Sequence, residues 1–466
     1  MLTLILLVYF VSFLDKPEKT APQLSPRAVE QRAKWHIQTD GMDYPVCGMY
    51  KDSLLRMGVK IYHQSRWFNG VTCEMDEKTA SKVAGLKFVT NVEMTRDNTV
   101  PGNAPKKRIR ELEMSESATN KTQEQLATYN LMPLHKAGYE GQGILMAICD
   151  GGFYDAQTLS CFRQKDLELG HFDFTDDADD FYGPTGAHGT YCLSTISGIL
   201  DSSYYGAATK AQYYLMRSEE DATESPKEMD NLVAALEKAD SLGVNIFSVS
   251  LGYAMFDNDA WSLKKSELDG QTTRVSRAAT IAARKGMLVC VAAGNDGNND
   301  WKKISVPADA DSVLTVGAVG VDSPIGSFSS WGPSADGRVK PDVCAVGVKT
   351  TLIKTDGTIS QGNGTSFATP LLAGLAACLW SALPDENAMQ IRDRIIRSAD
   401  RYINPDSYRY GYGIPDAWKA YTMIPTGTEN IEFGIQRTDS RKILRHGQLI
   451  ILREGQMYDV LGRKIE

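Results

Sequence analysis

Four apolar runs of strand length recur between Gln123 and Thr426: "GILMAICD", "VNIFSVSLG", "MLVCVAAGN" and "SVLTVGAV". Each is continuous rather than alternating and carries β-branched residues, the pattern of a strand buried on both faces. The stretches between them have helical period. "DNLVAALEKADSLG" and "VSRAATIAARKG" close on Gly243 and Gly286, residues suited to the left-handed turn that ends a helix. Buried strands separated by glycine-capped helices predict an α/β domain in which a mainly parallel sheet lies between two helical layers. Ligand sites in such sheets lie outside the carboxyl ends of the strands, so the residues that follow these runs are the first candidates for chemistry.

The flanks read differently. "GVKIYH", "NGVTCEM" and "FVTNVEM" are strand-like and "DEKTASKVAGL" is helix-like, which makes residues 24–97 a small α+β unit. Residues 98–122 are polar, charged and interrupted by Pro and Gly, so an exposed, cleavable linker is expected before the large domain at residues 123–425. Residues 426–466 read as a β-rich tail with alternating strands about Glu454-Gly455. The opening "MLTLILLVYFVSF" has the apolar length of a signal-peptide core and is short for a membrane span. Residues 1–23 are therefore expected to be a signal or anchor segment.

Charge and cysteine usage exclude several classes of function. With a net charge of −8 and no basic block, nothing draws nucleic acid or an anionic membrane, and no other stretch reads as a stable membrane span. The eight cysteines lack CxxC or Cys/His spacing, which removes a zinc site. Several sit within apolar runs, so buried free thiols are expected. The acidic stretch from Asp173 to Asp180 lacks EF-hand spacing, and no metal or cofactor is expected.

Three polar residues stand beside strand ends or helix starts. Asp150 closes "GILMAICD", His188 lies in "PTGAHGTYCLSTISG", and Ser366 opens the buried run of "GNGTSFATPLLAGLAACLW". Acyl transfer needs a hydroxyl nucleophile, an imidazole to take its proton and a buried carboxylate to fix the imidazole. It also needs a donor for the oxyanion. Asn295, at the end of "VCVAAGN", is placed to supply one together with a backbone N–H at the Ser366 helix start. "GTSFA" is not G-x-S-x-G and the chain order is Asp, His, Ser, so an α/β-hydrolase esterase is excluded.

These residues come with "DGG", "HGT", "SLG", "AAGN" and "GTSFATP" in that order, and over about residues 138–420 the chain resembles the subtilisin-like serine proteases. The resemblance implies a three-layer subtilisin-like domain. It assigns Ser366 as nucleophile, His188 as general base and acid, Asp150 as its orienter, Asn295 as oxyanion donor, and Ser248, Leu251 and Gly252 as a substrate-binding edge. Gly151 departs from the usual Ser or Thr after the aspartate, Tyr191-Cys192 from the usual His-Val after "HGT", and Ala345-Val346-Gly347 from "APG". Residues 24–97 resemble the inhibitory propeptide of that family, and the tail resembles the carboxy-terminal sorting segment of Bacteroidetes-type exported proteins. The implied function is a secreted or cell-surface serine endopeptidase of an exporting bacterium, made as an inactive precursor. Its partners would be polypeptide substrates, its own propeptide and an export machinery. The competing reading is a subtilase-fold protein that binds peptides without cutting them.

Overall fold

A computed structural model describes residues 6–17, 20–100, 121–162, 166–175, 180–184, 186–201, 203–220 and 222–424, and the backbone of four short strands beyond residue 440. The first unit comprises β1 (Leu7–Phe13), α1 (Pro26–Lys34), α2 (Gly48–Arg56), β2 (Lys60–Ser65), β3 (Gly70–Met75), α3 (Glu77–Ala84) and β4 (Val89–Asp97). Its sheet has the order β2-β3-β1-β4, and β1 pairs antiparallel with β3 on one side and β4 on the other.

This corrects the expected leader. Leu7–Phe13 is an inner strand of the small α+β unit, not a segment that precedes it, and the boundary expected at residue 24 falls inside that unit. Leu7, Tyr9, Val11 and Phe13 enter the unit's own core with Leu54, Val71 and Val83. Phe10 points the other way, under the Arg274 guanidinium at 3.8 Å. Both faces are covered, so the strand is apolar throughout and imitates a signal core in composition.

The second unit opens with α4 (Lys121–Ala127) and α5 (Met132–Lys136), then runs β5 (Leu145–Asp150), β6 (Glu168–Asp173), α6 (His188–Ser197), β7 (Gln212–Arg217), α7 (Pro226–Leu242), β8 (Ile246–Val249), α8 (Arg274–Arg284), β9 (Leu288–Ala292), β10 (Leu314–Val319) and β11 (Val343–Val346). A hairpin of β12 (Thr350–Ile353) and β13 (Ile359–Gly362) leads into α9 (Thr365–Ala382), followed by α10 (Ala388–Ser398) and α11 (Ala417–Thr422). The seven-stranded sheet has the order β11-β10-β9-β8-β5-β7-β6, and each of its pairings is parallel. Met146 and Ile148 face the core shared with α6, α9 and α10, while Leu145, Ala147 and Cys149 face α7 and α8. Alternate residues of one strand thus enter two cores, which is the three-layer arrangement its composition predicts.

Helix ends follow the local chemistry. In α7 a capping box joins Ser225 and Glu228, Pro226 stands in the first turn, and Gly243 ends the helix at φ 75°. Helix α9 is long and apolar enough to cross a membrane, but it is buried as the central helix of the domain. All eight cysteines are buried free thiols, as expected.

The small unit stands on α7 and α8. Glu237 of α7 accepts from Ser65 Oγ at 2.5 Å, the Arg66 N–H at 2.8 Å and the Trp67 N–H at 3.2 Å. Around it, Arg66 and Arg32 reach Asp240 at 2.6 and 2.8 Å, and Lys285 reaches Asp43 at 2.9 Å. Further along, Arg274 of α8 pairs with Glu93 of β4 and Asp230 of α7, and Arg96 of β4 pairs with Glu220. A cavity of about 560 Å³ lies between the units, lined among others by Tyr62, Arg96, Glu224 and Trp261.

The tail forms a separate unit from Ile424 onward. Its strands β14 (Ser440–Arg445), β15 (Gln448–Arg453), β16 (Gln456–Tyr458) and β17 (Lys464–Ile465) pair antiparallel in sequence order. The expected turn at Glu454-Gly455 lies outside the described residues, as do residues 101–120 of the linker and Asp176, Asp177 and Asp179 of the acidic stretch.

Candidate active site

Asp150 is the last residue of the inner strand β5, and its carboxylate is almost completely buried. Oδ1 accepts from His188 Nδ1 at 2.7 Å and from the Gly151 N–H at 2.8 Å. His188 opens α6, and the next residue has to be small. A β-carbon on Gly189 would lie 2.3 Å from the Gly152 carbonyl oxygen and 2.9 Å from Asp150 Cβ. The "HGT" glycine therefore lets α6 close down on β5, which brings the imidazole to the carboxylate. The other Asp150 oxygen, Oδ2, is buried without a hydrogen-bond partner among the described residues. Gly151 occupies the position where a serine or threonine hydroxyl would stand beside that carboxylate.

Burial disfavours charge on His188, but the Asp150 carboxylate and its hydrogen bond outweigh this. The net effect holds His188 well above the ordinary histidine value of 6.5. Cys192, one helical turn later, places Sγ 3.8 Å from Nδ1 and 4.0 Å from Nε2. Burial pushes that thiol up, so it stands as a neutral group. The Phe367 ring packs against the imidazole with centroids 5.4 Å apart.

Ser366 lies in the first turn of α9, after Gly364 at the cap position. A β-carbon on Gly364 would lie 2.7 Å from Ser366 Oγ and 3.7 Å from Asn295 Nδ2, so the hydroxyl and the amide border the same small space. A side chain at 364 would fill it. Asn295 follows β9, and its orientation is set by an obligatory donor: Oδ1 accepts from the Thr365 N–H at 2.9 Å and from Thr365 Oγ1 at 3.1 Å. Its Nδ2 is thereby turned away from Thr365, toward the side where Ser366 Oγ lies. No hydrogen bond joins Ser366 Oγ to His188 Nε2 in this structure, and such bonds often tighten only when a substrate binds.

Of the three residues expected to form the substrate edge, two lie beyond the end of β8 and one lies within it. Leu251 is half-buried beyond the end of β8, and Gly252 lies so close to Ser305 that a β-carbon there would stand 2.1 Å from its hydroxyl. Among the described residues, the N–H groups of Ser250, Leu251 and Gly252 donate to no other backbone group, as an edge open to an extended peptide requires. Ser248 does not belong with them. It sits inside β8, 1% exposed and flanked by β5 and β9, with its hydroxyl among buried atoms. The serine at the strand end is Ser250, whose Oγ donates to the Ser366 carbonyl at 2.8 Å. Ser250 and Thr365 are the functional neighbours that sequence reasoning passed over. The signal for Ser250 was its place immediately before Leu251-Gly252, past the last apolar strand residue.

Among the described residues, Asp150, His188 and Cys192 are the one cluster of potential metal ligands, and it coincides with this site. The Asp150–His188 bond already commits Nδ1, so the cluster is accounted for without an ion.

Comparison with known proteins places these features. The family model described as the subtilase family matches residues 141–413. A model of the peptidase S8 propeptide domain of Bacteroidota matches residues 8–111, which includes β1. Subtilisin E of Bacillus subtilis (strain 168) is 27% identical over 369 residues, covering 78% of this chain and 84% of that protein. Serine protease AprX of the same organism is 28% identical over 309 residues, covering 59% and 66%. The crystal structure of MycP1 from the ESX-1 type VII secretion system matches with a TM-score of 0.54 and 23% identity, over 67% of this chain and 89% of that one. At that identity the likeness concerns the fold alone.

Proposed function

The chain belongs to the subtilase family and is a serine-type endopeptidase made as a precursor, and from that premise we propose that Asp150, His188 and Ser366 form its catalytic triad. Ser366 Oγ attacks the scissile carbonyl carbon while its proton passes to His188 Nε2. The resulting oxyanion takes hydrogen bonds from Asn295 Nδ2 and the Ser366 N–H. Collapse breaks the C–N bond, and the amine leaves with the proton from Nε2. Water then attacks the acyl-enzyme with His188 first as base and then as acid, releasing the new carboxyl and restoring Ser366. Asp150 fixes the tautomer through Nδ1 and stabilises the imidazolium. The observation that carries this reading is the 2.7 Å Asp150–His188 bond at the carboxyl end of β5, with Ser366 and Asn295 bordering one space nearby.

The polypeptide substrate is held along Ser250, Leu251 and Gly252 by backbone pairing.

The first unit acts as an intramolecular inhibitor until it is removed, resting on α7 and α8. An exported location accords with the subtilisin relatives, and the tail would serve as a sorting segment read by an export machinery. Deleting residues 426–466 would then abolish export without changing the rate of the purified enzyme.

A fluorophosphonate serine probe, followed by intact mass, tests the triad. The processed protein takes one adduct and Ser366→Ala takes none. Turnover that persists in purified Ser366→Ala would overturn the assignment. The complete set of four polar residues favours catalysis over a peptide-binding role.

A further inference from the structure

Helix α9 contains Pro370, four residues after Ser366. In an α-helix the carbonyl of residue i accepts from the N–H of residue i+4, and proline has none. The carbonyl of Ser366 therefore lacks its helical donor, close to full burial, where an unmatched acceptor is costly.

Two side chains from other elements take the vacant lone pairs. Ser250 Oγ donates at 2.8 Å and Cys192 Sγ at 3.2 Å. Ser250 stands at the end of β8, on the edge proposed to pair with substrate. Cys192 lies on α6, one turn beyond His188. One oxygen thus ties together the nucleophile's helix, the helix of the general base and the substrate edge. The neighbouring turn is held in the same manner, since Thr369 Oγ1 donates to the Thr365 carbonyl at 2.8 Å.

We propose that Ser250 and Cys192 are positioning residues that replace the amide missing at Pro370 and hold the Ser366 peptide unit in register with His188 and the bound peptide. This rests on Ser366 being the nucleophile. The Ser250 hydroxyl touches none of the reacting atoms, whereas Cys192 Sγ lies 4.0 Å from His188 Nε2, so it is the loss on removing Ser250 Oγ that falls on kcat. A residue that merely bound peptide would raise KM instead. The proposal also explains why the proline is compatible with the site: with its N–H absent, the Ser366 carbonyl is free to bond sideways to the two elements that must be aligned with it.

The test is a double-mutant cycle in the processed full chain, with Ser250→Ala, Pro370→Ala and the pair, read by kcat and KM on a peptide substrate and by the rate of fluorophosphonate labelling. Ser250→Ala is expected to lower kcat about tenfold with KM little changed, the size of one net hydrogen bond to a buried acceptor. Ser250→Thr, which keeps the hydroxyl, restores most of the rate. In the Pro370→Ala background the new N–H satisfies the carbonyl, and the loss from Ser250→Ala shrinks to about twofold. An equal loss in both backgrounds, or a loss confined to KM, overturns the proposal. Should Ser250→Ala fail to fold, Cys192→Ala and Cys192→Ser carry the same comparison: the serine keeps a donor and is expected to keep the rate, and equal rates for the two overturn the proposal. An unlabelled parent enzyme would instead show that Ser366 is not the nucleophile, so the two readings fail separately.

Discussion

Replacing Glu237 should loosen the propeptide by an amount that the interface itself specifies. The Glu237 carboxylate accepts from the Arg66 and Trp67 N–H groups and from Ser65 Oγ. In Glu237→Ala the hydroxyl turns to another partner, but the two backbone donors remain buried without an acceptor. At about 1–3 kcal/mol for each, the closed state loses about 2–6 kcal/mol, or roughly 30- to 10⁴-fold in the opening equilibrium. Burial raises the Glu237 carboxyl to about 6 from an ordinary 4.5, with Arg66 opposing. The closed state therefore holds the proton more tightly than the open one. Its contribution is largest below the open-state value and is lost as pH rises through about 6, a change of about 2 kcal/mol.

The assay is limited proteolysis of the full chain carrying Ser366→Ala, at protease levels where cleavage tracks the open population. Disappearance of the propeptide fragment should be faster in Glu237→Ala by the stated factor at pH 7.5. Relative to an unfolded reference substrate, the parent should become more resistant between pH 7.5 and pH 5, and Glu237→Gln should lack that gain. Equal rates for parent and Glu237→Ala, or a parent that loosens toward acid more than Glu237→Gln does, would refute the reasoning.

Other consequences are accessible to simpler measurements. Asn295→Ala should lower kcat by roughly 10²–10³, a magnitude that comes from subtilisin rather than from this structure, and an unchanged kcat would remove Asn295 from the oxyanion site. Because His188 is held above its ordinary value and acts only as the neutral base, the acid limb of kcat/KM should lie above pH 6.5, with activity lost as pH falls through it. Gly151→Ser has room, with Glu219 Cβ 3.7 Å from the new β-carbon, and would give Asp150 Oδ2 a donor. Drawing charge from the carboxylate should move that acid limb downward and raise stability by about 1 kcal/mol, read by a pH profile and a thermal melt. A thiol reagent should find no cysteine in the folded chain and eight after denaturation; fewer than eight would reveal disulfides.

The parallel sheet was legible because each central strand is covered on both faces, so its apolar run is unbroken. The same reasoning misread Leu7–Phe13. A strand packed between its own helices and α7 and α8 has the composition of a leader's core, and only its pairing with Gly70–Met75 and Val89–Asp97 distinguishes the two. The site was legible through motif order. Its geometry was not, because Asp150 and His188 are 38 residues apart and Ser250 and Ser366 are 116 apart. The choice of Ser248 over Ser250 turned on a two-residue shift along a strand, which keeps the same side of the sheet but moves the side chain from the interior to the carboxyl end.

The inner place of β1 has a consequence for the order in which the precursor assembles. The earliest described strand has partners that end at Met75 and Asp97, so its sheet cannot close until the chain has been made through Asp97. Among the described residues β4 bonds to no strand except β1, and it is β4 that carries Glu93 and Arg96 to the protease domain. Removal of Leu7–Phe13 would therefore unfasten the far end of the propeptide unit, releasing the strand that leads into residues 98–122 while leaving every residue of the candidate active site untouched.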